Sequence, residues 1–437
     1  MVEDPTPYRV DGEVGRFTFS CHHVVNDGAI VLDTSRQVFR PLAGKEWYRT
    51  VGFKELAIQH GVLGGSYRQV TERINRVRHQ PKATPLRTLQ DAVEAEGIAA
   101  NKALDAKARC ILREEGLDAE TLAPIVERTA STAQHLDPKV VEAALREVAP
   151  DEKMLNVMRM NPVKYEDPSA ATNMSVDDVL AKKQAEHRER RRTAPAESQE
   201  SPAPTVVPSD KAGHEDEKKR VHTTVAHVNT PAGRCVFASG GLLSTCLLVM
   251  AFLVANKKLR STWMFYVDGQ RSLQDLLVRV FAWQGTMQLV LDWYHVVKKC
   301  EEKLSLALNN RHVRNDAVKQ ILRPLWYGDV DGAIAMVRLI DPKHVKSVEA
   351  IEGLAGYFQR NKPYIPCYAV RKKLGLRNSS NRAEKANDIV VAARQKHKGM
   401  SWSQPGSTAL ATLQALVCND NQRLWLEKRA VDFRLAA

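Results

Sequence analysis

The chain has 437 residues, more than one ordinary core accommodates, so two or three domains are expected. Lys+Arg 64 against Asp+Glu 51 leaves a formal charge of +13, which favours a polyanionic partner, either nucleic acid or an acidic membrane surface. The seven cysteines (Cys21, Cys110, Cys235, Cys246, Cys300, Cys367 and Cys418) include no CxxC pair, arguing against a zinc ribbon and a disulfide framework and fitting a reducing cytoplasm.

The start, MVEDPTPYRVDGEV, has no basic run followed by an apolar stretch, so no secretory signal is expected there. FTFSCHHVV and AIVLDTS are short strand candidates in a small mixed segment. Cys21-His22-His23 has metal-ligand residue types, but neighbours on an extended segment point to opposite faces and no partner pair follows, so no zinc site is assigned. From Trp47 the pattern is helical: EWYRTVGFKELAIQHGVLGG, SYRQVTERINRVRHQ and TPLRTLQDAVEAEG, the last opening at Thr-Pro and ending at Gly97. Short helices with this punctuation predict a helix-turn-helix-like region over about 47–97 within an N-terminal region spanning 1–150. Arg68, Arg73, Arg76 and Arg78 lie among Val70, Ile74 and Val77, and Arg87 opens the next helix. They read either as a solvated basic face or as a helix presented to DNA phosphates and guanine edges.

Residues 170–184 contain SVDDVL, a strand candidate, and 185–220 form a polar stretch without aromatics, rich in Pro, Ser and charge, that reads as a flexible linker. The pattern then becomes regular over 221–296. VHTTVAHVNT and GRCVFASG form a hairpin across Thr230-Pro231-Ala232-Gly233, LLSTCLLVMAFLVA a buried helix too short for a bilayer, STWMFYVDG a buried strand, SLQDLLVRVFAW a helix and MQLVLDWYH a strand. With SVDDVL the order is strand, strand, strand, helix, strand, helix, strand, the RNase H-like order. An all-α insertion is expected over 297–370, and 371–437 forms a C-terminal helical part with a helix starting near Ser407. The fold class is therefore α/β: an RNase H-like mixed sheet with an all-α insertion, behind a mainly helical DNA-binding region.

Three acidic positions stand out. Asp268 closes the apolar run Trp263–Val267 ahead of Gly269, where active-site groups collect at strand ends, although a turn or helix-cap Asp also fits. Asp177 and Asp178 alternate across a strand, so only one can enter a shared site; Asp177 is favoured, with Asp178 as a supporting candidate. Glu384 lies in NRAEKANDIVVAARQK, where Ala383, Ala386, Val390 and Ala393 are expected to bury one face while Asp388, Val391 and Gln395 share the Glu384 side. Arg382, Lys385, Arg394, Lys396, His397 and Lys398 make this helix basic: Glu384 is either an intrahelical ion-pair member or a metal ligand on a helix that grips DNA. Three carboxylates would suit two Mg²⁺ (or Mn²⁺) ions, which prefer oxygen ligands and promote phosphodiester cleavage and joining.

At these residues the sequence resembles bacterial insertion-sequence transposases of the DDE class, distantly similar to the Mutator-like group. The resemblance runs from YRQVTERINRVRHQ through SVDDVLAKKQ, YVDGQ, LVLDWYHVVKKCEEKLS and IPCYAVRKKLGLRNSSN to EKANDIVVAARQKHKGMSWS. It implies a metal-binding triad of Asp177, Asp268 and Glu384, with Asp292 and His295 of DWYH supporting the site or holding a transposon end. Arg68, Arg73, Arg76, Arg78, Arg87, Lys385, Arg394, Lys396 and Lys398 would contact DNA. The implied partners are terminal inverted repeats, target DNA and further copies of the chain in a paired-end complex, in the bacterial cytoplasm and without a membrane. One departure is the linker, which separates the first strand from a partner that a compact sheet joins by a tight turn. Two other readings remain: a non-catalytic DNA-binding protein derived from such an enzyme, and an RNase H-like nuclease without strand transfer.

Overall fold

The computed structural model describes residues 6–27, 29–33, 47–63, 65–80, 84–129, 131–184, 219–396 and 400–435. The chain opens with β1 (Thr6–Asp11), β2 (Arg16–Cys21), β3 (His23–Asn26), β4 (Ala29–Asp33) and β5 (Trp47–Arg49), which form a three-stranded sheet ordered β2-β1-β5 and a separate β3-β4 ribbon. Helices α1 (Val51–Leu63), α2 (Tyr67–Val77) and α3 (Leu86–Glu115) follow. Ser66 and Gln69 close a reciprocal capping box at the start of α2, fixing where that helix begins.

Helix α3 corrects the expected stop at Gly97: it runs on through that residue for 30 residues and ends at Gly116, which adopts the left-handed conformation at φ +73°. Gly97 serves packing instead. A Cβ there would lie 2.3 Å from the carbonyl oxygen of Ala409, so its absence lets α3 cross closely over the C-terminal helix α15 (Gln404–Cys418). That helix begins before the expected Ser407, capped by Ser403, with Pro405 in its first turn.

After α4 (Pro138–Val148) and α5 (Glu152–Arg159) comes the central sheet: β6 (Ala171–Lys182), β7 (Arg220–Thr230), β8 (Gly233–Ser239), α6 (Leu242–Ala255), β9 (Thr262–Val267), α7 (Arg271–Phe281) and β10 (Met287–Leu291). Its five strands are ordered β10-β9-β6-β7-β8; β6, β7 and β8 pair antiparallel, while β9 runs parallel to β6 and β10 parallel to β9. This mixed α/β arrangement follows the order of strands and helices expected from the sequence. Residues 185–218 of the expected linker lie outside the described residues, yet their flanks meet: Lys183 donates its amide to the Lys219 carbonyl at 2.8 Å, and β6 and β7 pair to Lys182–Arg220. The linker is thus a long insertion at the end of an otherwise ordinary hairpin, a length that costs little because closure entropy grows logarithmically.

Strand alternation divides the core. Met174, Val176, Ala226, Val228 and Phe237 join α6, whose Cys246–Leu253 are all buried. Val179, Val225, Val236 and Ala238 face the opposite way, onto Ala386, Val390, Val391, Ala411 and Ala415. Among the described residues no helix is long and apolar enough to cross a membrane. After β10 come α8 (Trp293–Ala307), α9 (Arg311–Trp326), α10 (Val330–Arg338), α11 (Val348–Asn361) and α12 (Tyr368–Lys373). The chain then returns to the sheet through α13 (Asn381–Asn387), a π-helical segment Asp388–Ala392 and the short α14 (Ala393–Gln395), and after α15 closes with α16 (Gln422–Lys428).

Replacing Gly97 by Ala gains roughly 1 kcal/mol of helix propensity but drives a methyl group into the α15 backbone, an overpacking cost of about 1–3 kcal/mol or more. The expected outcome is a net loss of stability in urea unfolding, whereas a Gly at an ordinary exposed helix position would show a gain.

Candidate active site

The site is assembled at one edge of the central sheet. Asp177 lies on β6, on the face that carries Val179 toward the C-terminal helices. Asp178 points to the other face, is exposed, and accepts a hydrogen bond from the Thr224 hydroxyl on β7. Only Asp177 therefore enters the cluster, and Asp178 stays outside it.

Asp268 follows the fully buried strand β9, so the backbone beneath it is fixed while its side chain is partly exposed. Its Oδ1 accepts from the amide of Gln270 at 2.8 Å, and its carbonyl accepts from the Tyr357 hydroxyl of α11 at 3.0 Å. Gly269 is required there on two counts: its φ is +88°, and a Cβ would lie 2.6 Å from the Tyr357 ring. Tyr357 was not anticipated from the sequence, because nothing in a helix of the insertion signals a contact with a turn almost ninety residues earlier.

Glu384 sits on α13, and its Oε1 meets Nε2 of His295 at 3.0 Å. Asp292, just upstream of His295, is buried at 1% exposure and caps α8 by accepting from the Tyr294 amide at 2.7 Å. Its other oxygen accepts from the amide and hydroxyl of Ser380, directly before α13. The two residues singled out in DWYH thus act on one element: Asp292 anchors the start of the helix and His295 holds its carboxylate.

The electrostatics tie the three carboxylates together. Burial pushes the Asp177 carboxyl up to about 6, and the negative charges of Asp268 and Glu384 add to the shift. Glu384 moves the other way, because the hydrogen bond from His295 favours its ionised form, with help from the charges of Lys298 and Lys396. Burial opposes charge on His295, but the hydrogen bond to Glu384 and the fields of Asp292, Glu384 and Asp268 prevail and raise its pKa. One oxygen of each carboxylate has a partner: Asp177 Oδ2 from Asn387 at 2.7 Å, Asp268 Oδ1 from Gln270, and Glu384 Oε1 from His295. Among the described residues the second oxygen of each has no hydrogen-bond donor. Such a donor set fits a hard divalent cation in type, although no three described His, Cys, Asp or Glu side chains form a group that would hold a metal ion as they stand.

The basic residues divide. Arg68, Arg73 and Arg76 are exposed on α2, together with Val77. Arg87 is exposed on α3 and paired with Asp91, and Lys385 and Lys396 are exposed around Glu384. Arg78 is instead buried, pairing with Asp11 at 3.3 Å, hydrogen-bonding Thr84 and lying over the Phe53 ring. Arg394 is buried too, donating to the Gly61 carbonyl at 3.0 Å between the rings of Tyr67 and Trp402. Both are corrections to the expected DNA-contacting set: Arg78 ties α2 to β1 and α1 within the N-terminal region, and Arg394 joins α1 and α2 to the C-terminal part of the chain. Lys398 lies outside the described residues.

A carboxyl whose folded pKa is raised contributes its full stability below its unfolded value and loses it as pH climbs through the folded one. With Asp177 shifted from 3.8 to about 6, ionising it costs up to about 3 kcal/mol above that pH. Asp177→Asn is therefore expected to stabilise the protein by about 1–3 kcal/mol at pH 7–8 and to leave it unchanged below about pH 4, read from urea unfolding across pH. Equal stability of the two proteins at pH 8 would contradict this placement of Asp177.

Comparison with known proteins adds little. No protein family's pattern matches the chain, and no curated protein matches it. Among solved structures, the Drosophila P element transposase strand transfer complex is similar at 9% identity and a TM-score of 0.24, over 92% of this chain and 88% of that one, a likeness too low to carry an argument.

Proposed function

We propose that this chain is a polynucleotidyl transferase with an RNase H-like core, acting as a DDE transposase of a bacterial insertion sequence. The observation that carries the reading is the gathering of Asp177, Asp268 and Glu384, from β6, the end of β9 and α13, with one oxygen of each held and the other left without a donor among the described residues. The strand order supports it: an antiparallel trio followed by two parallel strands, each reached through a helix, brings the first strand and the fourth side by side at the centre of the sheet. Carboxylates on adjacent central strands are then neighbours whatever their separation in sequence.

Asp177, Asp268 and Glu384 would hold Mg²⁺ or Mn²⁺, two ions in the full reading, which would activate the attacking water or 3′-hydroxyl and stabilise the leaving oxygen. The chain's own residues do the rest. His295 orients Glu384 and keeps its proton to higher pH than an ordinary imidazole. Gln270 and Tyr357 set the Asp268 turn, while Lys298 and Lys396 place positive charge beside Glu384 where a phosphate would approach. The α2 face of Arg68, Arg73 and Arg76 would take the duplex of the terminal repeats, and paired ends would require more than one copy of the chain. A non-catalytic DNA-binding protein is the second reading, favoured because no three described His, Cys, Asp or Glu side chains form a group that would hold a metal ion as they stand.

Nicking and strand transfer on DNA carrying the element's own ends, with Mg²⁺ or Mn²⁺, decides between them. Asp268→Asn and Glu384→Gln are each expected to cut activity by more than about 100-fold, beyond what loss of an outer-shell partner does, with DNA affinity retained. Wild-type protein that binds the ends yet never nicks them would favour the binding protein. Cleavage of ends without joining would favour a nuclease.

The DNA surface is checked separately by salt dependence. Replacing Arg68, Arg73 and Arg76 together by Ala is expected to flatten the slope of log K against log salt by about 2.7, roughly 0.9 for each phosphate no longer neutralised. The Arg78→Ala protein would instead lose stability, since it leaves Asp11 buried with less compensation.

A further inference from the structure

We propose that Asn387 is the positioning residue of the first carboxylate: through its amide it holds Oδ2 of Asp177 and leaves Oδ1 directed to a cation. The inference rests on the reading of the three carboxylates as a cation site. Asn387 is 7% exposed, on the face of α13 that packs against β6 and β7, and donates Nδ2 to Asp177 at 2.7 Å across 210 residues of sequence. No residue of the sheet supplies another donor to Asp177 among the described residues.

The chemistry of the donor matters. An Arg or Lys in the same place would form an ion pair and neutralise the charge that a cation needs, whereas an amide orients the carboxylate and leaves its charge intact. Gln270 uses a backbone amide on Asp268 to the same end. Asn387 also stands three residues after Glu384, one turn along the same helix, so α13 carries the third carboxylate and the clamp on the first. Any movement of this helix shifts both together.

The winding of the segment explains how Asn387 stays buried. Buried residues recur in pairs at Ala386-Asn387, Val390-Val391 and Arg394-Gln395, a spacing of four, and the π-helical turn Asp388–Ala392 accommodates it. A regular α-helix, at 3.6 residues per turn, would carry these pairs progressively off the sheet. The looser turn directly after Asn387 keeps the whole stripe in register with Asp177 at one end, and such single π turns recur at functional sites.

The test is Mn²⁺ binding to the full chain without DNA, followed through the free-ion electron paramagnetic resonance signal, in wild type and Asn387→Leu, which keeps the volume and removes the donor. Melting without ion shows whether the variant is folded; should it not fold, Asn387→Ala, which removes the donor and suits a helix, takes its place. Mn²⁺ affinity is expected to fall about 10–100-fold in the folded variant, as for loss of an outer-shell partner. A purely structural role would lower the melting temperature and leave the ion affinity where it was, and that result overturns the proposal while the cation site stands. Wild-type protein that binds no Mn²⁺ overturns the cation site itself and this inference with it.

Discussion

The site depends on how the chain returns from the helical insertion to the sheet, and one buried ion pair governs that return. Arg371 on α12 is fully buried and grips both oxygens of Glu166 at 2.7 and 2.6 Å, ahead of β6. The same guanidinium donates to the Tyr266 hydroxyl of β9 at 3.1 Å and to the Arg377 carbonyl, which bends the following segment toward the sheet. Tyr266 passes a hydrogen bond to Asn173 on β6, Arg377 reaches Asn229 on β7 and Tyr368 reaches the Leu291 carbonyl on β10. A stretch of ten residues is thereby fastened to four neighbouring strands before Ser380 meets Asp292 and α13 begins. Buried pairs of this kind stabilise little over an apolar alternative, but their geometry is exacting and removing one partner costs about 3–5 kcal/mol. What Arg371 contributes is register: it decides where Glu384 lies relative to Asp177 and Asp268.

Within that frame the cluster is electrostatically uncomfortable by construction. Three carboxylates share a half-buried edge with a single imidazole between them, and the most buried of the three shows the consequence in its raised pKa. A protein selected for stability alone would place amides or apolar groups there. The ties around the cluster are mostly neutral or backbone donors, which fix the carboxylates without discharging them. Among the described residues only Glu384 has a charged partner, His295, whose hold on its proton that pairing strengthens.

The sheet was legible because β9 and the hairpin β7-β8 are apolar runs bounded by turn residues, and because alternation alone separates Asp177 from Asp178. Helical periodicity was a poorer guide where packing departs from the ideal helix. Gly97 has the look of a stop signal, yet it is a crossing point whose meaning lies in Ala409, 312 residues away. On the Glu384 helix a regular α-helical period places Ala393 in the interior and Val391 and Gln395 on the side of Glu384; Ala393 is exposed and the other two are buried, because the π turn changes the period from 3.6 toward four. Charge on a helix says nothing of its partner, so Arg78 and Arg394 read like Arg73 until the tertiary structure brings Asp11, Tyr67 and Trp402 to them. The same limit hid Arg371, Tyr357 and Asn387, whose roles exist only through residues distant in sequence.

The helical stretch from α8 to α12, which overruns the expected insertion of 297–370 at both ends, is therefore part of the site rather than an appendage to it. Its first helix carries His295, α11 carries Tyr357 against the Asp268-Gly269 turn, and α12 carries Arg371. The Tyr357 ring occupies the space a side chain at 269 would need, so the turn and the insertion specify one another. Residues bridging the two make the cluster sensitive to events on the insertion surface: a displacement of α11 would be felt first at the Asp268 backbone, and one of α8 at Glu384. Three carboxylates drawn from an edge so divided can be brought together or held apart by small motions of packed helices, which is the range in which packed interfaces move.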